Sequence, residues 1–251
     1  MIPRLDIKGD KLIKGVNLEG LRIIGDPNEF ALKYYRDGAD ELIYIDAVAS
    51  LYGRNNLLDI VEKAAQDVFI PITVGGGIKK IEDAINLLKA GADKIAVNTG
   101  AILRPELISE LANHLGSQSV VVSIQAIKDN RNNWMAFTDN GREPTGMDVV
   151  LWAQRASELG AGEILITSVD QEGTEKGFDT KLISQITTGL EIPVIASGGF
   201  GNVQDLIDVV KISNADAIAV SSAFHYGRAK IKDVKELASS SNISMRVNIE
   251  S

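Results

Sequence analysis

The chain has 251 residues and no cysteine, which excludes disulfides and thiolate metal sites and gives no sign of export. Its net charge of -8 comes from 34 acidic against 26 basic residues with no basic run, which argues against a nucleic-acid partner. No apolar run approaches the ~18 residues of a membrane span, no signal-peptide pattern opens the chain, and the two histidines, His114 and His225, stand too far apart for a histidine metal cluster. The expectation is a cytoplasmic enzyme or scaffold with no metal, no cofactor and no membrane partner.

Short β-branched runs alternate eight times with amphipathic helical patterns. A strand is predicted over residues 3–7, with Arg4 and Asp6 in it. The long stretch from Gly9 to Pro27 alternates at residues 11–16, a small hairpin that carries Lys14. Asp26-Pro27 then starts a helix over 28–37. Strand 42–46 follows Glu41 and ends on Asp46, and a helix is predicted over 55–66. Strand 70–74 runs into Gly75-Gly76-Gly77 and a helix over 79–89. Strand 94–98 opens on Lys94 and closes on Asn98-Thr99, before a helix over 105–115. Strand 120–125 ends on Gln125, and residues 128–145 read as a second hairpin before a helix over 147–159. Strand 163–168 runs from Glu163 to Ser168, with Asp170 and Gly173 beyond it, and a helix over 179–188. Strand 193–197 ends on Ser197, Gly198 and Gly199 and leads to a helix over 202–211. The last strand, 217–221, ends on Ser221-Ser222 and precedes a helix over 231–239.

Gly76-Gly77 and Gly198-Gly199 lie 122 residues apart, as do Gly38-Ala39 and Gly160-Ala161. Eight strand–helix units with turns repeating at half the chain length predict a single (β/α)8 barrel over residues 1–251, built from half-barrels of about 1–122 and 123–251. A doubly wound open sheet competes but needs neither eight units nor matched halves. Both hairpins then lie on the C-terminal face, where a barrel keeps its chemistry.

Glycine turns ahead of helix N-termini leave backbone N–H groups bare, which suits a phosphate. Two of them suggest a ligand with a phosphate at each end; the competing reading is close helix packing. One cradle is expected from Gly77, Asn98 and Thr99, the other from Gly173, Gly199, Ser221 and Ser222. Asp46, Ser168, Asp170 and Ser197 should line the rest of the mouth. Leu5 and Ile7 should point outward, so alternation aims Asp6 inward as a general acid or base, against the plainer reading of a strand-end cap. Gln125 ends the opposite strand and flanks the ligand from the other side. Lys14 either sits near a phosphate or is a solvated loop lysine. Glu41, Lys94 and Glu163 begin strands, and form either a partial ring at the lower mouth or ordinary solvent-facing ends. Arg4 shares the parity of Asp6 and is expected inside the barrel, paired with Glu41 or Glu163.

The segments Leu5-Asp6-Ile7-Lys8, Lys14-Gly15, Gly25-Asp26-Pro27, Thr73-Val74-Gly75-Gly76-Gly77, Ala92-Asp93-Lys94, Gly160-Ala161-Gly162-Glu163-Ile164 and Ala196-Ser197-Gly198-Gly199 together resemble the cyclase subunit of imidazole glycerol phosphate synthase, over essentially the whole chain. The resemblance implies a duplicated half-barrel and a ribulosyl aminoimidazole carboxamide bis-phosphate nucleotide as substrate. It also implies a glutaminase subunit at the N-terminal face, sending ammonia past a salt-bridged gate that matches Glu41, Lys94 and Glu163. The gate arginine of that family precedes the first strand, and Arg4 is expected to stand in for it. The resemblance implies two acid/base aspartates. Asp6 matches one, but Gln125 occupies the place of the other and has no proton to exchange near neutral pH. Three readings stay open. The chain acts on the usual substrate through Asp6, or it delivers ammonia to a nucleotide-sugar acceptor in surface-polysaccharide synthesis, or it is a silent bis-phosphate-binding partner. The first is preferred because nearly every other matching position is present.

Overall fold

The first strand, β1 (Ile2–Lys8), shows how the chain separates an inside from an outside. In the computed structural model, which describes residues 1–49 and 57–246, Leu5 and Ile7 are fully buried in the layer between strands and helices. Ile2 belongs instead to a small separate cluster with Ile43, Ala96, Val121, Leu165, Ile195 and Ala219. Side chains alternate along a strand, so Ile2, Arg4 and Asp6 face the interior.

Eight strands close the ring: β1, β4 (Leu42–Asp46), β5 (Ile72–Gly75), β6 (Lys94–Val97), β7 (Val120–Lys128), β10 (Glu163–Ser168), β11 (Val194–Ser197) and β12 (Ala217–Val220). Each pairs in parallel with the next, β7 pairs β10, and β12 pairs β1. Parallel neighbours require crossovers, and helices supply them: α1 (Pro27–Arg36), α2 (Leu58–Asp67), α3 (Ile81–Lys89), α5 (Glu106–Leu115), α6 (Val149–Glu158), α7 (Thr180–Thr187), α8 (Val203–Ser213) and α10 (Ile231–Ser240). The expected (β/α)8 barrel is therefore present, and no open sheet edge remains between the eight strands. Residues 55–56 of the helix expected over 55–66 lie outside the described residues.

Both long stretches are antiparallel hairpins, β2 (Lys11–Val16) with β3 (Glu19–Gly25), and β8 (Trp134–Thr138) with β9 (Glu143–Asp148). Two short helices, α4 (Thr99–Leu103) and α9 (Ser222–His225), were not legible, since four or five residues show no helical period.

The same local devices recur in both parts of the chain. Asp26 caps α1 by accepting from Asn28 and Glu29 N–H at 2.8 and 3.0 Å, and Asp148 caps α6 from Val150 and Leu151 at 2.9 and 3.1 Å. Asp83 receives the N–H groups of Lys79 and Lys80, and Asp205 those of Gly201 and Asn202. Asp93 Oδ2 accepts from Ile72 N–H at 2.8 Å, and Asp216 Oδ2 from Val194 N–H at 2.9 Å.

Replacing Asp26 or Asp148 by alanine is expected to cost about 1 kcal/mol each, because two helix-start N–H groups lose their partner. Urea midpoints read this directly, and unchanged midpoints in both variants would contradict the capping account. A second expectation concerns His225, which is buried where α9 meets α1, stacked on Tyr34 with the two side chains hydrogen-bonded at 2.6 Å. Burial, with the Lys14 cation adding to it, lowers its pKa from 6.5 to about 3. Between those values the unfolded chain takes up a proton that the folded state excludes, so His225 lowers stability as pH falls below 6.5. At pH 5 the loss should be about 2 kcal/mol, absent from His225→Gln, as urea unfolding at pH 7.5 and 5 would measure.

Candidate active site

A guanidinium inside the ring sets the geometry of the mouth. Arg4 is 2% exposed. Its Nε donates to Asp6 Oδ1 at 2.9 Å, and its Nη1 donates to Thr167 Oγ1 at 2.9 Å and Ser197 Oγ at 3.4 Å. The side chain thus reaches from β1 across to β10 and β11. Burial would pull the Arg4 pKa down, but Asp6 and Glu172 outweigh it and raise the value. Ser221 Oγ donates to the Arg4 backbone carbonyl at 3.0 Å.

Lys14 is as buried as Arg4, so the solvated-loop reading fails. Its ammonium is ion-paired with Glu172 and lies 3.7 Å from Asp6 Oδ2. Two cations and two carboxylates are therefore packed together under the mouth. Sequence reasoning missed Glu172. It belongs to the loop after β10, where strand alternation no longer tells which way a side chain points. It also passed over Thr167, the inward residue of β10; Ser168 has the opposite parity.

Two cavities flank this group. One, of about 80 Å³, is lined by Asp46, Gly76, Gly77, Asn98, Thr99 and Gln125 among others, so Gly77, Asn98 and Thr99 do border one cavity. Gly77 has φ +68, and a Cβ there would stand 2.9 Å from the Ala49 Cβ, so glycine is required by backbone and by space. Asp46 accepts from Val48 N–H at 2.9 Å, yet burial still raises its pKa above the usual carboxylate value. The other cavity, of about 570 Å³, is lined by Lys14, Gly15, Gly173 and Ser222 together with Arg22 and Arg228. Those two arginines were not anticipated; Arg228 is ion-paired with Glu175. Gly199 and Ser221 stand outside this lining. A Cβ on Gly199 would lie 2.0 Å from the Gly177 carbonyl oxygen, so close packing explains that glycine. Asp170 is exposed and ties loops, accepting from Lys128 N–H at 2.9 Å.

At the other end of the ring, Lys94 Nζ reaches Glu41 Oε2 at 3.0 Å and Glu163 Oε1 at 2.7 Å. Burial would lower the Lys94 pKa, but its bonds to Glu163 and Glu41 leave it raised. The expected pairing of Arg4 with Glu41 or Glu163 does not form. Arg4 does point inward, but its nearest carboxylate is that of Asp6, two residues along the same strand face, and the guanidinium turns toward the mouth. Lys94 serves both glutamates instead. Among the described residues no group of three or more His, Asp or Glu could hold a metal ion, and no helix is long and apolar enough to cross a membrane.

Residues 1–230 match the model of the histidine biosynthesis protein family. A protein of Legionella pneumophila named imidazole glycerol phosphate synthase subunit HisF is 60% identical over 205 residues, covering 82% of this chain and 97% of the relative. A Bacillus cereus protein of the same name is 47% identical over 247 residues, covering 98% of each. With a family model spanning most of its length and relatives this similar, the chain belongs to the histidine biosynthesis protein family.

Proposed function

We propose that this chain is the cyclase subunit of imidazole glycerol phosphate synthase, using ammonia to convert a ribulosyl aminoimidazole carboxamide bis-phosphate nucleotide to imidazole glycerol phosphate. The names of its relatives support this activity and support neither the nucleotide-sugar acceptor nor the silent partner. The observation that carries the reading onto these residues is the pair of cavities at the strand ends, with the buried Asp6 carboxylate between their linings. Asp6 is paired in register with Ile45 of the first cavity, and its Oδ2 neighbours Lys14 of the second.

In this reading one phosphate sits by Gly77, Asn98 and Thr99, at the start of α4. The other sits by Gly173 and Ser222, at the start of α9, with Gly199 and Ser221 shaping the cradle from behind. Lys14, Arg22 and Arg228 supply the cations of the second cavity, beside Glu19 and Glu175, with Lys14 and Arg228 already paired to Glu172 and Glu175. Asp6 exchanges protons through Oδ2, because Oδ1 is held by Arg4. Asp46 and Ser197 border the mouth, whereas Ser168 and Asp170 shape its loops. A glutaminase subunit docks on the N-terminal face, over the Glu41–Lys94–Glu163 ring, in the cytoplasm. The matched caps support a duplicated half-barrel, about 1–122 and 123–251, within one domain.

Asp6→Asn keeps the shape and removes the proton acceptor, so turnover with ammonium salt and the nucleotide should fall by about 10²-fold or more. Steady-state rates equal to the parent's would refute the role of Asp6. Lys94→Met leaves Glu41 and Glu163 as unpaired like charges at the lower mouth. Ammonium-driven turnover should persist, while glutamine-driven turnover with the glutaminase subunit should release free ammonia. An unchanged ratio of glutamine consumed to product formed would remove Lys94 from the ammonia path.

A further inference from the structure

Gln125 stands at the mouth, 6% exposed, and its amide orientation follows from backbone groups whose roles cannot be exchanged. The Phe137 carbonyl can only accept, and it receives Asn98 Nδ2 at 3.2 Å. That fixes which end of the Asn98 amide is nitrogen. The same Nδ2 donates to Gln125 Oε1 at 3.1 Å. The Gly141 backbone N–H can only donate, and it reaches the same Oε1 at 2.7 Å. Turning the Gln125 amide over would break both bonds and set its own N–H groups against two donors. Oε1 is therefore committed to the protein, and Nε2 is the polar atom left over. Among the described residues nothing accepts from it, although the side chain lines the cavity that holds Gly77, Asn98 and Thr99.

The hairpin after β7 explains why the arrangement is rigid. Asp139, Asn140 and Gly141 form its tip, all at positive φ. The tip is tied to the first cavity by the Asp139 N–H donating to Thr99 Oγ1 at 3.2 Å. Two buried atoms at this cavity lack partners, the donor Asn140 Nδ2 and the acceptor Asn98 Oδ1. Buried polar atoms are rarely left unmatched unless something else completes them. A carboxylate in place of the Gln125 amide would offer the cavity an acceptor; this amide offers two N–H groups.

We propose that Gln125 donates a hydrogen bond from Nε2 to an uncharged oxygen on the sugar chain of the substrate, and that residue 125 exchanges no proton in this protein. The proposal deepens the cyclase reading and rests on it for the identity of the ligand. Its consequence is a division of labour across the mouth. Proton exchange belongs to the Asp6 side, and the opposite wall holds an oxygen of the ligand in place.

Side-chain amide signals of Gln125 in protein labelled with ¹⁵N-glutamine, assigned by their loss in Gln125→Leu, test this directly. In the free protein the Gln125 NH₂ protons should exchange rapidly with solvent while the Gly141 N–H is protected. Slow exchange of the NH₂ protons in the free protein would mean that they are bonded to protein, and would overturn the proposal. Saturation with the ribulosyl nucleotide, ammonia omitted so that no turnover occurs, should shift and protect the NH₂ signals. Calorimetry run in parallel separates the two ways of failing. Tight binding with unmoved NH₂ signals defeats this inference alone, whereas no binding defeats the cyclase reading and leaves the exchange rates to decide the amide's orientation. Turnover gives a second test. Gln125→Leu, which lacks the donor, should lower kcat/KM by about 10-fold or more. Gln125→Glu should lower it further, because an anionic acceptor then faces the ligand oxygen. Activity of Gln125→Glu at or above the parent's, with a new titrating limb in its pH profile, would show that a proton-exchanging group serves better there and would end the proposal.

Discussion

The pairing of Arg4 with Asp6 inside the ring is the interaction on which the mouth depends. A guanidinium removed from water carries a large desolvation cost unless a carboxylate and further hydrogen bonds receive it. Asp6, Thr167 and Ser197 provide that reception, from the first, sixth and seventh barrel strands. The side chain therefore acts as a cross-brace, and it dictates how Asp6 presents itself. One carboxylate oxygen is held by Arg4 and the other faces Lys14. Lys14 is in turn anchored by Glu172, so the orientation of each charge depends on the next.

Above and below this brace the barrel does different work with the same strands. The lower interior is apolar, lined by small and branched residues such as Ile2, Ala96 and Leu165, and is closed at its end by Lys94 between two glutamates. The upper end splits into two cavities that share no lining residue. Each cavity lies near the start of a short helix, α4 or α9, and each is walled by one of the two hairpins. The β2–β3 hairpin brings Lys14 and Arg22 to the larger cavity, and the β8–β9 hairpin brings Asn140 to the smaller. The two insertions are thus the walls of the site rather than decoration on its rim.

The eight strand–helix units, the ring they form and the inward faces of its strands are legible in the residues alone, because these depend on periodicity and turn chemistry within a few residues. Residue order alone places Asp6 and Arg4 inside, puts Gly77, Asn98 and Thr99 at one cavity, and brings Glu41, Lys94 and Glu163 together at strand starts. Which charges meet depends on the assembled ring. Arg4 found Asp6 rather than a glutamate, because two residues along one strand face is a shorter reach than the next layer of the ring. Glu172, Arg22, Arg228 and the tip of the second hairpin were out of reach for the same kind of reason. Their side chains come from loops or hairpins, where no period fixes direction and position is set by the element they fold against. The role of Gln125 is of this sort as well. Its type excludes a proton exchanger, but which end of its amide faces the cavity is decided by Gly141 and Phe137, backbone groups that only folding brings beside it.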